Sequence, residues 1–402
     1  MRGTPACGPF GEGDPQLSAW TEMQSVWEQL RGKRVFITGG TGFIGCWLLE
    51  AFLWANNTFH LGASVVILTR DPEGFSRRVP HLAGESRVEL LQGDVRTFAF
   101  PTKGFSLVIH AGGPGRKSLA RETPLETFST IVNGSRHVLD FALHCHAESA
   151  LFVSSGAVYG RNTWQAGHLS ENHFGALDPS DPLSGYAEGK RAAEFLCAAY
   201  RHAYGLDVKI ARCFTFAGRY LNPAAGFAIT DFVLDAVRGG PVLVRGDGTA
   251  RRSYLHGADL AAWLWMILLR GLSARAYNVG SEESISIGEL AHAIAEMCEP
   301  QPEVRVCTPA TPGLRVECYM PSTKRAQEEL GLRQTVGLAD ALRDTLGWLR
   351  QMQSTGRVGE QEYGQSSLSD GGSSSARRLN PEASRAGSPS TGGSPMHMTR
   401  RS

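Results

Sequence analysis

The sequence predicts an α/β protein: a doubly wound parallel sheet with helices on both faces, followed by a smaller C-terminal α/β substrate lobe. Three observations predict it. First, the short apolar run Arg34-Val35-Phe36-Ile37-Thr38 leads through the loop Gly39-Gly40-Thr41-Gly42-Phe43-Ile44-Gly45 into residues 43–54, whose apolar positions have helical spacing. Second, runs of strand length recur at 65–68, 88–91, 107–110, 151–154 and 208–211, and read as short buried strands. Third, helical patterns at 125–144 and 184–202 separate the later runs. Strands joined through helices imply parallel pairing, because a parallel connection needs a long crossover.

The elements follow in chain order. Residues 1–16 are rich in Gly and Pro and read as loose, whereas 17–30 place Trp20, Met23, Val26, Trp27 and Leu30 near a helical period. An N-terminal extension over 1–32 with one helix is therefore expected, then the sheet domain over 33–214. The smaller lobe is expected over 215–350, with helices at 226–238, 258–269, 287–297 and 338–349. Within it, 242–244 reads as a short strand and 304–306 as an edge strand. Ser286 followed three residues later by Glu289 has the spacing of a capping box. Residues 351–402 are mostly Ser, Gly, Arg and Pro. Such a segment buries too little apolar surface to offset its conformational entropy, so a disordered tail is expected.

Composition excludes several classes. The 402 residues are 42% hydrophobic and 20% charged, with a net charge of +1, which gives no basic stripe for nucleic acid. Eight cysteines without a Cys-x-x-Cys pair read as free thiols in a reducing compartment. The first residues lack the apolar core of a signal peptide, and the longest apolar run, 260–269, is too short to span a bilayer. A soluble cytoplasmic protein without a membrane partner is expected. No metal site is expected either, since His144 and His146 are two apart on a predicted helix and point to different faces. Trp263 and Trp265 lie in an apolar helix and read as core.

Candidate chemistry begins at the glycine loop. Glycine permits positive φ and close backbone approach, and the N–H groups at a helix start favour a pyrophosphate. The spacing Gly-x-x-Gly-x-x-Gly is one step off the dinucleotide pattern. Tyr186 and Lys190 stand four apart at the start of a predicted helix, hence on one face. A tyrosine with its ordinary pKa of about 10 is a poor base, but a neighbouring cation favours the phenolate and makes proton transfer to a sugar or alcohol oxygen feasible. The strand at 151–154 runs into Ser154-Ser155-Gly156-Ala157-Val158-Tyr159-Gly160, at the strand end where ligands bind in doubly wound sheets.

In this order, the glycine loop, Asp94-Val95, His110-Ala111-Gly112-Gly113, the Ser-Ser-Gly segment and the Tyr-x-x-x-Lys helix resemble the extended short-chain dehydrogenase/reductases. Within them the chain looks most like the nucleotide-sugar epimerases and dehydratases, from about Lys33 to Leu349, including Ile210-Ala211-Arg212-Cys213-Phe214, the segment 246–254 and Tyr277-Asn278-Val279-Gly280. The resemblance implies a Rossmann-type fold and an NADP or NAD cofactor. It assigns the pyrophosphate to Gly39, Gly42, Phe43, Ile44 and Gly45, the adenine to Asp94 and Val95, and the cofactor channel to Ala111, Gly112 and Gly113. Ser155 would orient the reacting oxygen and Tyr186 would move its proton. Lys190 would lower the tyrosine pKa and hold the nicotinamide ribose. Arg252 would contact the diphosphate of the nucleotide sugar, which suits its planar fork of donors.

Departures from the family pattern sharpen the expectation. The positions of the dehydratase acid/base pair are Gly156 and Ala157, which cannot exchange a proton. Thr69-Arg70 stands where NAD-binding relatives carry an aspartate, which favours NADP because Arg70 can pair with a 2′-phosphate. Thr215 replaces a sugar-facing asparagine, and Ile131 replaces another. The expected function is a nucleotide-sugar epimerase or 4-ketoreductase using Ser155, Tyr186 and Lys190. The alternatives are a 4,6-dehydratase with atypical acid/base residues and a non-catalytic cofactor-binding scaffold. By resemblance, the helices at 125–144 and 184–202 would pair in a homodimer.

Overall fold

The computed structural model describes residues 17–113, 123–160, 167–311, 313 and 316–354. Six strands, β1 (Arg34–Thr38), β2 (Ser64–Thr69), β3 (Val88–Gln92), β4 (Leu107–His110), β5 (Ser149–Ser155) and β6 (Val208–Cys213), join Ala276–Val279 in a seven-stranded sheet. The order runs 3-2-1-4-5-6 and then Ala276–Val279 at the edge, and every pairing is parallel. The order reverses between β1 and β4, which opens a crevice beyond their carboxyl ends.

Alternation along each strand explains why both faces are dry. Val35, Ile37, Val65, Ile67, Leu107, Ile109, Leu151 and Val153 face one core with helices Phe43–Thr58 and Gly257–Arg270. Phe36, Val66, Leu68, Val108, Ala150, Phe152, Val208 and Ile210 face the other, with Pro124–His144 and Gly185–Tyr204. Strands buried on both sides lose the polar alternation of a one-sided sheet, hence their near-continuous apolar runs. β3 departs from the expected buried strand: it is the sheet edge, and Val88, Leu90 and Leu91 are only half-buried while Glu89 and Gln92 are exposed.

The N-terminal extension also departs from its expectation of one helix. It forms two single turns, Ser18–Thr21 and Gln24–Trp27, and a 3₁₀ turn, Glu28–Leu30. Breaking the helix lets Trp20, Met23, Val26, Trp27 and Leu30 all bury. The indole N–H groups find partners: Trp20 Nε1 donates to the Ala258 carbonyl at 2.9 Å, and Trp27 Nε1 to that of Trp20 at 2.7 Å.

A third core fills the smaller lobe, where Phe232 and Val233 of helix Ala228–Val237 meet Leu290 and Ile294 of Ile287–Glu296 and Leu342 and Leu346 of Leu338–Ser354. The capping box is present: the Ser286 hydroxyl accepts the Glu289 N–H at 3.1 Å, and the Glu289 carboxylate accepts the Ser286 N–H at 2.8 Å. The stretch expected as this lobe is not continuous in space, because Gly257–Arg270 packs on the large sheet and Ala276–Val279 pairs with β6. The last helix extends to Ser354, past the expected boundary at 350, and the rest of the expected tail, like residues 1–16, lies outside the described residues.

Candidate functional site

The crevice between β1 and β4 is made by backbone. Gly39 has φ +71°, and a Cβ there would lie 2.6 Å from both the Ala111 carbonyl carbon and the Gly112 nitrogen. The loops after β1 and β4 therefore touch main chain to main chain, as only glycine permits. A Cβ on Gly45 would overlap the backbone of Gly40, so the helix Phe43–Thr58 starts tight under the loop. Gly42 is its N-cap, without a capping side chain, and a Cβ there would meet only the Gly39 carbonyl oxygen, at 3.6 Å. Phe43 and Ile44 open the helix, with the Phe43 ring stacked on Phe216 at 6.0 Å. Among the described residues a Cβ on Gly42 would thus meet no side chain, which leaves room at the helical N–H groups that fits a dinucleotide pyrophosphate.

Further along the crevice, Asp94 is gripped by Arg96, whose Nε and Nη2 donate to its two oxygens at 2.9 and 2.8 Å. The Arg96 hydrogen bonds hold the carboxyl below its usual range, and the charge of the exposed Arg70 adds to this. Val95 packs on the helix behind, 2.9 Å from where a Gly134 Cβ would stand. On the β4 side, the Gly112 N–H donates to Thr38 Oγ1 at 3.2 Å, and the same hydroxyl meets His110 Nδ1 at 2.7 Å. His110 Nε2 lies 3.1 Å from Ser135 Oγ. Burial, then the Lys190 charge, pushes the imidazole down to about 3, so it is a neutral structural group at physiological pH.

Ser155, Tyr186 and Lys190 come together at the end of β5. Ser155 caps a 3₁₀ turn, Gly156–Tyr159, accepting the Ala157 N–H at 3.1 Å, and its hydroxyl lies beside the Tyr186 phenol. Lys190 is buried; its Nζ donates to the Val153 carbonyl at 2.7 Å and lies 4.8 Å from the centre of the Phe152 ring. It also stands 3.9 Å from where a Cβ on Gly113 would be, facing the glycine-lined channel. Burial lowers the ammonium to about 8. The expected lowering of the Tyr186 pKa is not what the structure gives: burial pushes the phenol up, and the Ser155 hydroxyl pulls it down.

A buried polar network fixes this corner. Arg212 forks onto Glu194, its Nη2 2.7 Å from Oε2, and its Nη1 donates to Tyr159 Oη at 3.0 Å. Tyr159 Oη donates to Asn278 Oδ1 at 2.7 Å, and Asn278 Nδ2 reaches the Leu169 and Ser322 carbonyls at 2.7 and 3.0 Å. Glu194 also accepts from Ser154 Oγ at 2.6 Å. Of the serine pair, then, Ser154 is tied inward and Ser155 faces the site. Tyr159, Arg212 and Asn278 belong to three separate sequence segments, and the network gives all three a scaffolding role.

On the substrate side, the side chains are already engaged. The Thr215 hydroxyl donates to the Ser253 carbonyl. Arg252 Nη2 donates to Glu317 Oε1 at 2.8 Å and its Nη1 to the Arg251 carbonyl at 2.8 Å. Sequence reasoning missed Tyr319. It pairs in register with Arg252, its ring packs tilted against Phe214 at 4.8 Å, and its hydroxyl fills the space beside Gly156. A two-residue strand, Cys318–Tyr319, carries no periodic signal by which it could have been found.

This arrangement can hold a dinucleotide along the glycine-lined crevice and move a proton at an oxygen set between Ser155 and Tyr186. Comparisons with known proteins bear on the family and the fold. A UDP-glucuronic acid decarboxylase of Arabidopsis thaliana is 28% identical over 311 residues, covering 77% of this chain and 86% of that protein. An epimerase from Methanothermobacter thermautotrophicus has the same fold, with TM-score 0.72 at 21% identity, over 84% of this chain and 97% of that one. A dTDP-glucose 4,6-dehydratase from Streptomyces venezuelae, solved with NAD bound, gives TM-score 0.67 at 25% identity, over 80% of this chain and 98% of that one. The family model described as NAD dependent epimerase/dehydratase matches residues 35–280, a span that takes in the crevice, the Ser155, Tyr186 and Lys190 corner and the network behind it, and the chain belongs to that family of NAD-dependent enzymes.

Proposed function

We propose that the protein epimerises a nucleotide sugar by oxidising one ring carbon to a ketone and reducing it again on the other face. One observation carries the reading: Ser155 and Tyr186 lie side by side near buried Lys190, while the next two positions, Gly156 and Ala157, hold no acid or base. NAD, when bound, supplies the hydride acceptor and donor. Tyr186 takes the hydroxyl proton as the alcohol is oxidised and returns it on reduction, and Ser155 steadies the same oxygen. Lys190, with a pKa of about 8, is still largely protonated at neutral pH and offsets phenolate charge as it forms. A 4-ketoreductase would use the same three residues for the second half of this cycle. Expulsion of water would need a carboxylate that the site lacks at 156 and 157.

A second reading is favoured by the curated relatives, which include UDP-glucuronic acid decarboxylases. Oxidation two carbons from a sugar carboxylate gives a β-keto acid, which loses carbon dioxide without a protein base, so Gly156 and Ala157 are compatible with it. The cofactor preference in this reading rests on Arg70, whose charge faces the Asp94 end of the crevice and would favour a 2′-phosphate. Homodimer formation is supported by Leu125 and Phe195, 86% and 70% exposed on the helices Pro124–His144 and Gly185–Tyr204. Among the described residues no helix is long and apolar enough to cross a membrane. A cytoplasmic location is the reading that the free thiols of the described cysteines support.

The test is incubation of the protein with NAD or NADP and either UDP-glucuronic acid or UDP-glucose in deuterated water, read by chromatography and mass spectrometry. A new isomer of unchanged composition, apart from exchanged deuterium, is the expected result. Loss of carbon dioxide from UDP-glucuronic acid moves the assignment to the second reading. Loss of water, or no turnover with either sugar, overturns both.

A further inference from the structure

Gly156 is the hinge of this inference. A Cβ there would overlap the Tyr319 hydroxyl, and would lie 2.9 Å from both the Tyr319 Cζ and the Phe214 Cζ. The space that a side chain at 156 would fill is therefore taken by a phenol delivered from the other lobe. The delivery is built: Cys318–Tyr319 pairs with Arg251–Arg252, the Tyr319 ring packs tilted against Phe214, and the Arg252 guanidinium lies 5.8 Å from the ring centre. The phenol oxygen sits against Gly156, the residue that follows Ser155, and beside Tyr186. Three hydroxyls, from Ser155, Tyr186 and Tyr319, thus converge at the end of β5.

We propose that Tyr319 is a substrate-binding residue that occupies the place of a side chain at 156 and donates a hydrogen bond to the sugar oxygen next to the one handled by Ser155 and Tyr186. This rests on the reading of the site as one that oxidises a sugar alcohol. Burial pushes the Tyr319 phenol well above its ordinary value, so it is a neutral donor at any physiological pH. A neutral donor can grip a hydroxyl or keto oxygen but cannot act as the base that removes a proton from carbon. Gly156 and Tyr319 then form one device: the glycine makes room, and the phenol restricts the site to redox chemistry at the sugar carbon.

The experiment compares wild type with Tyr319→Phe, Gly156→Ala and the Gly156→Ala/Tyr319→Ala pair, using UDP-glucuronic acid and UDP-glucose as probes. It measures kcat and KM for turnover, and sugar binding to the NAD-loaded protein by calorimetry. Tyr319→Phe keeps the ring on Phe214 and removes only the hydroxyl, so melting is expected to be unchanged. The sugar bound by wild type should lose about tenfold in kcat/KM and in affinity. Gly156→Ala should cost a similar factor by displacing the phenol, and the double variant should cost less than the product of Gly156→Ala and Tyr319→Ala measured singly, because the two changes share one site. A wild-type protein that turns over its probe while Tyr319→Phe matches it in kcat, KM and affinity sinks the proposal and leaves the functional reading standing. Fully multiplicative costs also sink it. If wild type neither binds nor turns over either sugar, the functional reading falls and the proposal falls with it.

Discussion

The crevice that fits a dinucleotide and the pocket proposed to face a sugar are built on different principles. The crevice is main chain: Gly39 against Ala111 and Gly112, Gly45 against Gly40, and helical N–H groups behind Gly42. The sugar side is side chain: Arg252 on Glu317, Thr215 on the Ser253 carbonyl, Tyr319 against Gly156. A backbone cradle is ready for its ligand and has nothing to release. Engaged side chains must exchange a protein partner for a substrate atom, so the second region trades affinity for selectivity.

The largest effect should come where the two regions meet, at Lys190. Replacing Lys190 by Met removes the buried charge proposed to offset a Tyr186 phenolate as it forms, and turnover of whichever UDP sugar proves active should fall by about a hundredfold or more. Stability should move the other way with pH. The native ammonium titrates near 8, against 10.5 for the ordinary group, so between those values the unfolded chain holds more protons. Wild type therefore gains stability, relative to Lys190→Met, as pH rises from 8 to 10.5, by on the order of 3 kcal/mol. Urea midpoints of both proteins across that range check it; a difference that stays flat would mean that Lys190 is not held in a dry site.

A middling effect is expected on the sugar side. Arg252→Ala should raise KM for the nucleotide sugar about tenfold with kcat little changed, as loss of a charge-assisted contact to a diphosphate would. Glu317→Gln frees Arg252 from its ion pair and should lower KM by a few-fold, of the order of a surface ion pair's worth. Steady-state kinetics of the two variants decide whether Glu317 competes with the substrate: movement of KM in the same direction for both breaks the comparison.

The smallest effect belongs to the open end of the crevice. Arg70→Asp should weaken NADP relative to NAD by a few-fold in the ratio of dissociation constants, since an exposed charge is screened by solvent. Fluorescence titration with both cofactors measures it, and an unchanged ratio would show that Arg70 faces water in the complex as well.

Legibility in the sequence follows the same division. Strands β1, β2, β4, β5 and β6 could be read because both sides of each are buried, which leaves uninterrupted apolar runs. The capping box at Ser286 and Glu289 was visible because its geometry is local. The N-terminal helix was misread because burial of five residues from Trp20 to Leu30 overrides the regular helical period. Ala276–Val279 was seen as a motif, but its place at the edge of the large sheet depends on pairing with β6 and on no local signal. Of the site, Ser155, Tyr186 and Lys190 were legible as motifs, whereas Tyr319 reaches them from a two-residue strand 133 positions beyond Tyr186 in the numbering. Gly156 looked like a missing side chain, and only the fold shows what stands in its place.

The Tyr159, Arg212 and Asn278 network has a consequence in time. A chain lengthening from its N-terminus acquires the glycine crevice, Ser155, Tyr186 and Lys190 by residue 213, with β6 complete. Arg212 and Tyr159 then wait for Asn278, and Asn278 in turn bonds to the Ser322 carbonyl. Unpaired buried donors are costly, so this corner closes only when the last strand and the segment after it arrive. Tyr319 lies in that same late segment. The corner that holds Ser155, Tyr186 and Lys190 is thus complete only once synthesis has passed residue 322, later than the glycine crevice.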